Sequence, residues 1–131
     1  MPIQCEYYAL EGVTQLMRTI EAVRHAMNKE LRLGSILMTM FDGRTRLSTQ
    51  VDEEVRTHFA RETMSTRIPR SVRVSEAPSY SRSVLTYEPT SAGAVAYREA
   101  AAEFAKRDAC DEHSTNTSGV KHPDASDTKK G

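Results

Sequence analysis

The sequence predicts an α/β fold: part of a mainly parallel, P-loop NTPase-like sheet flanked by helices. Three observations predict it. Amphipathic helical stretches alternate with short apolar runs. Those runs lack the in-out alternation of a sheet wetted on one face, as strands buried on both faces do. Each run also ends on a loop carrying arginine, Gly43 after the first and Pro69 at the second. Helix, strand, helix, strand is the βα alternation, which implies right-handed crossovers.

From Tyr7 to Met27, Leu10, Val13, Leu16, Met17, Ile20, Val23 and Met27 recur at steps of three and four and mark one helical face, with Asn28 as terminator. Leu33–Met40 is the first buried strand, and Asp42-Gly43 is the turn after it. Leu47, Val51, Val55 and Phe59 fall at four-residue steps, a second helix with Asp52, Glu53, Glu54 and Arg56 mostly on its wet side. Met64–Ile68 is the second strand. Ser75–Tyr80 is at most one helical turn, cut by Pro78, and Glu88–Gly93 reads as a loop. Ala94–Arg107 is an alanine-rich helix with Tyr97, Ala101 and Phe104 on one side. Residues 1–108 form the domain, and the Ser, Thr, Asp and Lys of 109–131 predict a disordered polar tail.

Composition narrows function. The 131 residues carry no net formal charge, so no global field draws the chain to nucleic acid or to an anionic membrane, and such binding needs a local patch. Arginine outnumbers lysine, and no lysine occurs between Arg44 and Arg82; arginine's planar fork suits phosphate and carboxylate. No CxxC and no long apolar span are present, which predicts a cytoplasmic chain with no metal and no membrane. No catalytic residue is expected. His25, His58, His113 and His122 have no second ligand or nucleophile at a chemically sensible offset, and Cys5 reads as a buried cysteine at a strand end. The glycines fit neither GxxxxGK[ST] nor GxGxxG, so no nest of backbone N–H groups cradles a triphosphate, and autonomous ATP hydrolysis is not expected.

In parallel α/β sheets ligands gather beyond the carboxyl ends of the strands. Those ends are Thr39-Met40-Phe41-Asp42-Gly43-Arg44 and Ile68-Pro69-Arg70-Ser71-Val72-Arg73. Two arginine-bearing loops on one sheet edge form either a cationic patch that contacts DNA phosphates without reading bases or simply solvated loops.

The segments PIQCEYYALEGVTQLMRTIEAVR, SILMTMFDGRTRLSTQVDEEVR and IPRSVRVSEAPSYSRSVLTYEPTSAGAVAYREAA closely resemble the carboxyl-terminal half of the ParA/Soj chromosome and plasmid partitioning ATPases, a deviant Walker-A family. The resemblance runs from Pro2 to about Ala105, and the first segment matches a strand-to-helix unit of the family. It implies a system in which an ATP- and Mg-dependent dimer binds nonspecific DNA and is released by a ParB-like centromere-binding partner. It also implies that Arg44 and Arg73 are DNA-contacting arginines, and that Thr39, Met40, Pro69 and Arg70 are the remnant of a nucleotide base-binding wall. The family's amino-terminal half, with its phosphate loop, has no counterpart in these residues.

Two apolar strands without their neighbours leave an open edge, so the expectation is a chain that is unstable alone or needs a partner. The expected function is therefore that of a partitioning protein, cytoplasmic and nucleoid-associated, lacking the Walker A loop. The alternatives are a noncatalytic module that pairs with a full-length ParA homologue, or a decayed or misannotated gene fragment.

Overall fold

The computed structural model describes residues 1–116, with side chains through residue 109. At its centre is a parallel sheet of β1 (Pro2–Gln4), β2 (Ile36–Phe41) and β3 (Thr63–Pro69), in the spatial order β1-β2-β3. Helix α1 (Ala9–Ala26) connects β1 to β2, and α2 (Arg46–His58) connects β2 to β3. The α/β class and the parallel sheet agree with the sequence reading.

That reading of the residues counted only two apolar strands, and β1 is the addition. Only Ile3 of its three residues is buried, too short a run to show as a pattern, although the resemblance had marked a strand here. Backbone bonds from Cys5 N–H to the Thr39 carbonyl and from Leu37 N–H to the Met1 carbonyl, both 2.9 Å, zip it to β2. The two edges of the sheet are therefore β1 and β3, and on β3 the Ser65 and Thr66 N–H groups donate to Glu103.

One layer lies on each face. Ile3, Cys5, Ile36 and Met38 pack against Val13 of α1 and Val51 and Val55 of α2. On the other face Met64 and Ile68 meet Ala96 and Ala100 of α5 (Ala92–Asn116). Ile36 and Met38 are fully enclosed, and each such burial contributes about 1.5–3 kcal/mol. Alanines on α5 let its backbone approach β3 closely. Ser91 starts that helix, its hydroxyl accepting from Ala94 N–H at 3.2 Å.

Other boundaries differ from expectation. α5 begins at Ala92 and continues to Asn116, past Asp108, where the sequence placed the end of the ordered part. The rest of the expected tail, 117–131, lies outside the described residues. The stretch after β3 is more helical than expected: α3 (Val72–Glu76), a 3₁₀ turn (Ala77–Tyr80) with Pro78 in its first turn, and α4 (Val84–Tyr87).

On α2 the buried stripe is Ser48, Val51, Asp52 and Val55, while Leu47 is exposed. Asp52 was expected in solvent and is instead 3% exposed. It stands four residues after Ser48 and three before Val55, so helical geometry carries it inward.

Candidate nucleic-acid interface

The loop after β2 is shaped by short polar side chains. Asp42 Oδ1 accepts from Arg44 N–H at 3.1 Å, which curls the chain into a turn. Thr45 caps α2, its Oγ1 accepting from Ser48 N–H at 3.3 Å and donating to the Asp42 carbonyl at 2.9 Å. Ser48 Oγ accepts from Asp42 N–H at 3.3 Å and donates to the Cys5 carbonyl at 3.4 Å, joining the ends of β1 and β2.

Arg44 stands on this loop with its side chain 90% exposed. Its Nε and Nη2 donate to the two Asp42 oxygens, each at 3.0 Å. That bond, then the one from Arg44 N–H, lowers the Asp42 carboxyl to about 2. Asp42 is therefore ionised at neutral pH. Nη1 of Arg44 has no partner among the described residues, so a phosphate can be bound while Asp42 keeps its hold.

Arg73 lies on α3, just beyond the end of β3, and its Nη1 donates to Glu76 at 3.2 Å. Tyr87 also reaches Glu76, at 3.5 Å, and stacks on Tyr80 with centroids 4.9 Å apart. Arg44 and Arg73 thus follow adjacent strand ends, but each is tied to an acid of its own segment and no bond joins them.

The four residues expected at a base wall sit at the carboxyl ends of β2 and β3. Phe41 pairs with Pro69, and Arg70 N–H donates to the Phe41 carbonyl at 2.9 Å. Met40 adopts a positive φ of 53°, uncommon for a residue with a Cβ. Thr39 Oγ1 is committed to the Ile3 carbonyl at 3.0 Å, and the Arg70 guanidinium to Glu6. What these four residues leave at the strand ends is apolar side-chain edges and backbone, with their polar side-chain groups engaged. The glycine-rich loop that would cradle a triphosphate is absent from the sequence.

Cys5 lies just past the end of β1 and is 3% exposed. Burial, and then the Asp52 charge, push its thiol up to about 11, so it stays protonated and is a poor nucleophile. Among the described residues no group of three or more His, Cys, Asp or Glu could hold a metal ion, and no helix is long and apolar enough to cross a membrane.

Sequence reasoning missed the acids that hold these arginines. Glu6 stands far from Arg70 in sequence, and nothing local announces the pair. Asp42 and Glu76 stand two and three residues from Arg44 and Arg73, a spacing that was there to be read.

No family model matches the chain. Among curated proteins, it is 50% identical over 107 residues to the chromosome-partitioning ATPase Soj of Thermus thermophilus, covering 82% of this chain and 43% of that one. It is 49% identical over 108 residues to the chromosome partitioning protein ParA of Caulobacter vibrioides, covering 82% and 40%. The sporulation initiation inhibitor protein Soj of Bacillus subtilis is 47% identical over 105 residues, covering 80% and 42%. The chain therefore spans about two fifths of the length of the curated relatives it matches. Over the matched residues the identity is high and the fold is that of a partial parallel α/β sheet, so the chain belongs to the ParA/Soj family of chromosome-partitioning ATPases.

Proposed function

We propose that the carboxyl edge of this sheet contacts DNA phosphates without reading sequence, as one part of a ParA/Soj-type partitioning system at the nucleoid. The observation that carries this reading is Arg44, displayed in solvent on a turn that Asp42 fixes, at the strand end next to the one that leads to Arg73. A guanidinium oriented in advance loses less freedom when it meets a phosphate. The names of the relatives, which speak of chromosome partitioning, support the same reading. Thr39, Met40, Pro69 and Arg70 are the part of this edge that meets a nucleotide base. In this reading the family's ATP, Mg and ParB-like partner belong to the same system, with the phosphate loop supplied by residues outside these 131.

Each arginine is expected to neutralise about one phosphate. Arg44→Ala and Arg73→Ala should each lower the slope of log affinity against log salt by about 1 on any duplex. Unchanged affinity and slope in both variants would contradict the reading.

A second reading, that the chain is a module pairing with a ParA homologue, is favoured by β1. Residues 1, 3 and 5 bond toward β2, so Gln4 and Pro2 turn their backbone outward. Beside this edge lies a groove of about 520 Å³ lined by Pro2, Gln4, Tyr7, Tyr8, Gly12 and Leu16, with Tyr7 and Tyr8 about three-quarters exposed. Coexpression with a full-length homologue should give a copurifying complex that Gln4→Pro disrupts, since proline removes the outward N–H. A complex that survives Gln4→Pro would point to another surface.

A further inference from the structure

The buried Asp52 cluster takes no part in the phosphate contacts proposed above. Asp52 Oδ2 accepts from Arg56 Nε at 3.0 Å and from Arg67 Nε and Nη2 at 3.0 and 2.6 Å. Its Oδ1 is buried without a partner. A carboxylate enclosed in this way is costly unless it is paired and well bonded, and here a single oxygen collects both arginines.

Arg56 spends its other end on the Met64 carbonyl at 3.0 Å, so it fastens α2 to β3. Arg67 instead lies over the Phe41 ring, 5.2 Å from its centroid. That ring in turn lies under Gly43: a Cβ built there would stand 3.4 Å from Phe41 Cε1. Phe41 arrives in this position through the left-handed Met40, where the β2–β3 register slips between the pairs Met38–Arg67 and Phe41–Pro69. A line of contacts therefore runs from Asp52 through Arg67 to Phe41, whose ring stands close to Gly43, the residue before Arg44, near enough that a Cβ there would touch it.

We infer that Asp52 is a positioning residue for the Asp42-Gly43-Arg44 turn: it holds Arg67 against Phe41, and the Phe41 ring supports the backbone that aims Arg44 at a phosphate. The inference rests on the phosphate-contact reading for its consequence, but not for its geometry. The charge of Asp52 is the active element. Asp52→Asn preserves shape yet cannot hold two guanidinium groups equally, and Phe41→Leu preserves apolar volume yet removes the flat ring.

Two readouts on the full 131-residue chain test it. Amide hydrogen exchange at Gly43, Arg44 and Thr45 should quicken at least about tenfold more than exchange in β3 and α5, in both Asp52→Asn and Phe41→Leu. Duplex DNA affinity should fall about three- to tenfold in each variant, and by less than about twofold when Arg44 is already alanine, because coupled residues are not additive. Exchange that quickens evenly along the chain would overturn the inference, since Asp52 would then be a general stabiliser. An equal loss of affinity with and without Arg44 would overturn it as well. If Arg44→Ala alone leaves affinity unchanged, the phosphate reading falls and the exchange pattern decides the positioning role. If Asp52→Asn does not fold, Phe41→Leu carries both measurements.

Discussion

At Gly93 the start of α5 presses against α3. A Cβ there would stand 2.4 Å from Val74 Cγ2 and 3.6 Å from Ser71 Cβ, and valine, stiff about χ1, cannot swing aside cheaply. Gly93→Ala is expected to cost about 1–3 kcal/mol by overpacking, although alanine is the better helix former. The urea midpoint should drop with little change in slope, and an unchanged midpoint would show that α3 yields freely. Gly93 could be read from the sequence only as a loop residue. Asp52 was misplaced for a related reason: charge and periodicity name a residue's side of a helix, but not the partners that make burial tolerable. Arg44 and Arg73 were legible as arginines at strand ends, whereas the acids that restrain them depend on turn geometry.

At the scale of elements, α5 is fastened to β3 by charge as well as by alanine packing. Burial alone would raise the Glu103 carboxyl from its ordinary 4.5, but bonds from Ser65 N–H at 2.7 Å, from Thr66 N–H at 2.9 Å and Thr66 Oγ1 at 2.7 Å, and the nearby Arg107, bring it to about 2. Arg107 also donates to the carbonyls of Arg61 and Thr63, both at 2.9 Å. A carboxyl depressed by folding contributes stability that is complete above the unfolded value and is lost as pH falls toward the folded one. Glu103→Gln should therefore cost about 1–3 kcal/mol at pH 7 and flatten the loss of stability between pH 4.5 and 2. Parallel acid unfolding curves for the two proteins would contradict this. The long elements were legible because each shows its period over several turns or lies wholly buried: α1, β2, α2, β3 and the body of α5. β1, α3 and α4 run for three to five residues, too short to establish a period, and tertiary contacts define them.

For the molecule as a whole, the sheet gives each face and edge a different character. Its faces are closed by α1 and α2 on one side and by α5 on the other, while β1 leaves a backbone edge unpaired. The carboxyl ends of β2 and β3 carry the exposed guanidinium groups. With no net charge on the chain, attraction for DNA needs a local patch, and the one proposed lies at that edge. The central claim is that this edge binds phosphates and does not read bases. Its most direct test is the affinity of the full chain for an A·T-rich and a G·C-rich duplex across a salt series, with and without the Arg44→Ala/Arg73→Ala change. The account predicts equal affinities for the two duplexes and a salt slope lower by about 2 in the double variant. A preference for one duplex, or a double variant that binds with the slope of the parent, would contradict it.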